Sequence, residues 1–263
     1  MFGKPSLDVL YPLFFANLSD CIPSVRQGAA ESIAKVVKAY GHEEHTWTMV
    51  LDKLATGLAR VQEQPATVDK SNEGLDSGLS TFGVAKRRHA NDEMLHTDQT
   101  MFSCGSLAPK MRGGGCSDHS FRRPPVPWEE TDGCVHLLAE LIEADTTKSH
   151  HKQLAALLAT VAQGCQKTHY VQHVMLWTSV GKRLPQMAKA LGKQLFKAQL
   201  ETFIEPLYRA VQSENELASV AAQDCVQSLA KFLGPNILRG RIELYNPSYL
   251  SVFEPHLGMD FSG

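Results

Sequence analysis

Apolar residues return at three- and four-residue steps in two zones of the chain, and each zone reads as a set of amphipathic helices. Leu7, Leu10, Leu13, Phe14 and Leu18 share one face of a first helix. Asp20 and Pro23 mark a turn, because proline is tolerated only at or before a helix's first turn. Ser24, with Gln27 three residues on, suits the N-cap of a second helix. Its apolar face is Val25, Ala29, Ile33, Val36, Val37 and Tyr40, closed by Gly41. Trp47, Val50, Leu51, Leu54, Leu58 and Val61 make a third face, which fades at Gln64-Pro65.

Periodicity resumes after a long polar stretch. Cys134, Leu137, Leu138, Leu141 and Ile142 form one face, and Leu154, Leu157, Leu158 and Val161 another, stopping near Gly164. Two further helices are predicted from Tyr170 to Val180 and from Leu184 to Leu195. Phe203, Ile204, Leu207, Tyr208 and Val211 follow, and Val220, Cys225, Val226, Leu229, Phe232 and Leu233 close the series at Gly234-Pro235. No window alternates as a half-buried strand does, so the chain is expected to be all-α. The zones divide it into residues 1–62, an irregular insertion at 63–127, a second helical zone at 128–245 and a tail at 246–263.

The two zones contain related segments. Tyr11-Pro12-Leu13-Phe14 and Glu205-Pro206-Leu207-Tyr208 each sit early in a first helix, and Ser32-Ile33-Ala34-Lys35 and Ser228-Leu229-Ala230-Lys231 each sit late in a second. The stretch from Leu7 to Gly41 resembles a HEAT repeat. The matching features are Pro12 in the first helix, Asp20 in the turn, Val25-Arg26 opening the second helix, and Ala29-Ala30 within it. Residues 200–234 match less fully, with Glu214 or Asn215 near the Asp position and Ala221 in place of the valine-arginine opening. The resemblance to the HEAT/armadillo group implies an α-solenoid of four to five stacked antiparallel helix pairs, interrupted by one long insertion. It also implies structural, ladder-forming roles for Asp20 and Arg26. A helix pair that cannot bury its apolar face alone does so against a copy of itself. The good match at the N-terminal end, where a polar cap is usual, predicts that a partner or further repeats cover the Leu10–Phe15 region.

Charge alters this picture locally rather than globally. Net charge is −2, which selects neither nucleic acid nor a membrane surface. No apolar run approaches the ~18 residues of a membrane span, and no signal-peptide pattern opens the chain. The six cysteines are scattered without a CxxC pair, so free thiols and a cytoplasmic location are expected. From Thr146 to Leu200 there is no Asp or Glu, while Lys148, Lys152, Lys167, Lys182, Arg183, Lys189, Lys193 and Lys197 all fall there. Lys189, Lys193 and Lys197 recur every four residues, as on one helix face. Such a ridge suits an acidic protein partner, or alternatively a nucleic acid, although a solvated helix face has the same pattern. The insertion adds Arg87, Arg88, Arg122 and Arg123 beside scattered apolar anchors such as Phe82, Phe102 and Phe121.

No residue pattern predicts catalysis. Gly113-Gly114-Gly115 lacks the lysine of a phosphate loop, and His42-Glu43-Glu44-His45 spaces its histidines three apart rather than four. Cys165, His169 and His173, four residues apart, would lie along one helix face and could share a metal, as could Cys104, Cys116, His119 and Cys134. Ordinary helix and loop positions explain both sets as well, so no cofactor or metal is expected. The sequence therefore predicts a non-enzymatic scaffold or adaptor, one component of a larger assembly, with Lys182, Arg183, Lys189, Lys193 and Lys197 as its partner-binding ridge. A nucleic-acid-binding solenoid using residues 146–200 is the alternative.

Overall fold

A computed structural model describes residues 7–40, 44–67 and 124–258. Every regular element among them is helical, and none is a strand. In order these are α1 (Leu7–Asn17), α2 (Pro23–Tyr40), α3 (Glu44–Ala59) with a 3-10 turn at Arg60–Glu63, α4 (Pro127–Ala144), α5 (His151–Cys165), α6 (His173–Leu191), α7 (Lys193–Lys197), α8 (Leu200–Val211), α9 (Glu216–Leu233) and α10 (Pro235–Tyr245). A compact end segment follows, with 3-10 turns at Pro247–Tyr249 and Glu254–His256 flanking α11 (Leu250–Phe253).

Two successions of neighbours organise the packing. In the first, α2 lies on α4, α4 on α6, and α6 on α9. In the second, α3 lies on α5, α5 on α8, and α8 on α10. The successions are joined by α1 on α2, α3 on α4, α5 on α6 and α8 on α9. One core runs through all of it, from Leu18, Ile33 and Leu54 through Leu137, Leu158 and Leu184 to Phe203, Leu229 and Phe253. The two segments alike in sequence are alike in structure. Pro12 lies inside α1 and Pro206 inside α8, both following helices have 18 residues, and Ile33 and Leu229 are fully buried.

Glycines set how closely some helices approach. A Cβ on Gly133 of α4 would stand 2.0 Å from the carbonyl oxygen of Leu18, and one on Gly181 of α6 would stand 2.9 Å from that of Ala221 in α9. Only glycine permits such contacts without displacing the partner backbone.

Several expectations are corrected. The second helix begins at Pro23, so Ser24 lies within its first turn, and the Asp20 carboxylate caps the turn by accepting from the Ile22 N–H at 2.9 Å. Val25, expected in the core, is half-buried, while its neighbour Arg26 is 1% exposed. The expected break between Val180 and Leu184 is absent. α6 runs on through Gly181 and Pro185 and ends at Leu191, where Gly192 adopts φ +84°, about one turn before the expected Leu195. Val220, counted among the apolar positions closing the series, is 54% exposed. The segment 246–257, expected as a tail, buries Phe253 and Leu257 and stacks Tyr249 on Tyr208 with ring centres 3.6 Å apart.

Candidate interaction surface

A chain of buried polar groups ties the first succession together. Arg26 of α2 donates through Nε to Asp132 Oδ2 of α4 at 2.9 Å and through Nη1 to the Asp20 carbonyl at 2.7 Å. Its guanidinium lies over the Trp128 ring, 5.2 Å from the centroid, and 3.9 Å from Glu129. One turn along α4 the pattern continues with His136, whose Nε2 stands 3.7 Å from Asp132 Oδ2. Its Nδ1 accepts from Arg183 Nε of α6 at 2.9 Å, and Arg183 Nη1 reaches Glu140 and Gln186 at 3.0 Å each. Burial pushes the His136 imidazole below its ordinary pKa, and Arg183, Arg26 and Lys182 act in the same direction against the pull of Asp132. The neutral ring can then receive the Arg183 N–H.

Arg26 is thus engaged between α2 and α4, with Asp20 contributing its main-chain oxygen. The sequence reading missed Asp132 and His136. Their signal was polar residues recurring every four positions, Asp132, His136 and Glu140, along the otherwise apolar stretch 132–142.

The end at which the insertion leaves the helices is also secured. Trp128 N–H donates to Gln64 Oε1 at 3.1 Å, and Thr131 Oγ1 bonds the Gly57 carbonyl and the Val61 N–H. His169 Nε2 lies 2.7 Å from the Gln64 carbonyl, and the Thr67 N–H donates to the His169 carbonyl at 3.0 Å. Arg87, Arg88, Arg122 and Arg123, with Cys104, Cys116 and His119, lie outside the described residues.

The predicted ridge separates into distinct settings. Lys182 and Lys189 are exposed on α6, but Arg183 is engaged by α4 as above. Lys193 and Lys197 belong to α7 and not to α6, because the helix stops at Gly192. Lys189, Lys193 and Lys197 therefore do not share one continuous helix face. The Lys193 ammonium sits over the Phe232 ring of α9 at 5.7 Å. The Cys165, His169 and His173 set is likewise divided, since α5 ends at Cys165 and α6 begins at His173. Burial raises the Cys165 thiol to about 12, and His173 Nδ1 faces the Tyr170 carbonyl. Among the described residues no three His, Cys, Asp or Glu side chains are grouped to hold a metal ion. No helix among them is long and apolar enough to cross a membrane.

Three concave apolar features of the described surface stand out. A groove of about 360 Å³ runs between α6 and α9, with Gly181, Ala221 and Cys225 along its floor and Pro185, Leu217 and Val220 along its sides. Leu217 and Val220 are 48% and 54% exposed. A second groove, about 420 Å³, separates α1 from α3 beside Tyr11, Phe15 and Met49. The third follows the outer side of α10, where Ile237 and Leu244 are exposed. At the opposite end of the molecule Leu13 is exposed, while Tyr11 and Phe15 are buried.

Compared with known proteins, the chain matches no family model, no curated protein and no solved structure.

Proposed function

We propose that this chain is a HEAT-type helical-repeat solenoid and acts as a non-enzymatic scaffold, binding other proteins along the row of α2, α4, α6 and α9. The observation that carries the reading is the direction of α6 and α9. Gly181 meets Ala221 near their N-terminal halves, and Lys193, just beyond α6, meets Phe232 near the end of α9. The two helices therefore run parallel, although α7 and α8 lie between them in the chain. Parallel neighbours separated by a returning helix are what stacked helix pairs generate, because each pair repeats the last with a small rotation. The partial sequence correspondence of α1–α2 with α8–α9 supports the same reading.

A row of this kind offers a long surface for partners, and its exposed groups fit protein recognition. Lys182 and Lys189 on α6, with Lys193 and Lys197 at the next corner, supply positive charge for an acidic partner segment. The exposed Leu13 at one end and Ile237 and Leu244 at the other supply apolar faces of the kind that further repeats or partners cover.

Site-specific photo-crosslinking in cell extract tests the proposal. The crosslinker is placed at Lys189 or Val220 on the row, and at Lys152, exposed on α5, as the comparison. Protein adducts at the row positions and few at Lys152 are expected. Adducts spread equally over all three, or none at any, would overturn the reading.

A further inference from the structure

The groove between α6 and α9 has walls of opposite charge. On the α9 side stand Glu216 and Asp224, both exposed, and on the α6 side stands Lys182, also exposed. None of the three has an ion-pair partner among the described residues. Between the walls lie the aliphatic surfaces of Leu217, Val220 and Pro185. Eight residues of helix separate Glu216 from Asp224, a rise of about 12 Å. The floor is low because Gly181 lets the two backbones meet at Ala221.

A ligand in this groove finds few backbone partners, since α6 and α9 satisfy most of their own main chains; within α6 the exception is the Gly181 carbonyl, which Pro185 gives no N–H. The ligand must satisfy its own backbone where it lies on apolar surface, and a helix does so internally. Apolar side chains at three- and four-residue spacing would seat on Leu217, Val220 and Pro185, as in other helix-in-groove recognition. The two acids on one wall, against one lysine on the other, select the ligand's charge and its orientation. Basic residues about two turns apart fit the α9 edge, and neutral or acidic ones fit the α6 edge.

We infer that the α6–α9 groove docks an amphipathic helix of a partner protein, with its apolar stripe on Leu217 and Val220 and a basic edge facing Glu216 and Asp224. This rests on the scaffold reading and gives that scaffold one ligand class, distinct from the acidic segment proposed for the lysines.

The test is fluorescence anisotropy on the full chain with three synthetic labelled peptides of about 16 residues, long enough to form helix. One carries a leucine stripe and lysines on one edge, one replaces those lysines with glutamate, and one is a scramble of the first. Saturable binding of the lysine peptide alone is expected. Leu217→Ser with Val220→Ser should weaken it about a hundredfold, the worth of two apolar anchors. Both side chains are exposed, so an unchanged melting curve is expected for this variant and separates lost docking from lost folding. Asp224→Lys should weaken binding roughly two- to fivefold, and Lys182→Glu should tighten it by a similar factor. Equal binding of the lysine and glutamate peptides, or of the parent and the folded double variant, would overturn the inference. So would absence of saturable binding by the parent. If crosslinked partners appear at Val220 while the lysine peptide fails to bind, the ligand class falls and the scaffold reading stands. If no row position yields adducts, the scaffold reading itself falls.

Discussion

The guanidinium of Arg26 and the carboxylate of Asp132 form an ion pair at 2.9 Å, and both side chains are almost wholly removed from solvent. The residues are 106 positions apart, so the pair joins α2 to α4 across the whole insertion. A buried pair of this kind gains little over well-packed apolar groups, yet losing one member strands a charge in the core. Asp132→Ala should therefore lower stability by about 3–5 kcal/mol. Arg26→Met with Asp132→Leu should lower it less, because the pair is removed together, and the buried Glu129 carboxylate that loses its cationic neighbour still accepts from the Val126 N–H. Urea unfolding of both variants provides the measurement, and a double variant as unstable as the single one would contradict the account.

His136 makes stability depend on pH in a defined direction. Its folded pKa is depressed, so the unfolded chain takes up the proton first as pH falls. The stabilisation is complete above the unfolded value of about 6.5 and is lost progressively as pH drops below it. Each proton contributes a slope of up to about 1.4 kcal/mol per pH unit. His173, depressed chiefly by burial, adds a component of the same sign in the same window. Urea midpoints between pH 7.5 and pH 5 should fall for the parent, and His136→Gln should retain only the shallower slope of His173. An identical slope in parent and variant would remove His136 from the explanation.

Two glycines give opposite expectations for the same substitution. Gly133→Ala forces a methyl group against the Leu18 carbonyl, where backbone must move, and should cost at least about 1–3 kcal/mol. Gly28→Ala on α2 meets nothing within 4 Å and should stabilise by about 0.5–1 kcal/mol, through helix propensity alone. Thermal melts of the two variants should move in opposite directions.

The lysines at the α6–α7 corner should matter more for binding than for folding. Lys189→Glu with Lys197→Glu should leave the melt within about 0.5 kcal/mol of the parent, because Lys189 is exposed and the half-buried Lys197 makes no ion pair among the described residues. Adding Lys193→Glu should cost about 0.5–1 kcal/mol more, because the ammonium over Phe232 is replaced by an anion. If the corner binds acidic segments, capture of crosslinked partners at Lys182 should fall in the triple variant and fall further with salt.

The sequence by itself determined where most helices lie and which faces they bury. Ile33, Leu54, Leu138, Leu158 and Leu229 are buried as the helical period predicts, because that period is a local property readable from spacing. It also pointed to Arg26 as structural and to the kinship of α1–α2 with α8–α9. Only the tertiary structure decided the features that depend on which helix meets which. The apolar spacing divided the stretch into two helices between Val180 and Leu184, yet Gly181 and Pro185 lie inside the single helix α6. Gly181 lets that helix meet the α9 backbone, and the packing tolerates Pro185, which has no N–H for the Gly181 carbonyl. Gly192, four residues short of Phe196, ends the helix instead and sends Lys193 and Lys197 onto a new axis. Val220 satisfies the apolar spacing of α9 but faces the groove, because Gly181 and Ala221 fill the contact beside it. Asp132 and His136 were legible as polar residues in an apolar run, but their partners Arg26 and Arg183 come from helices distant in sequence. A single chain records its local periodicities directly, whereas long-range pairing is fixed by packing geometry that no local window contains.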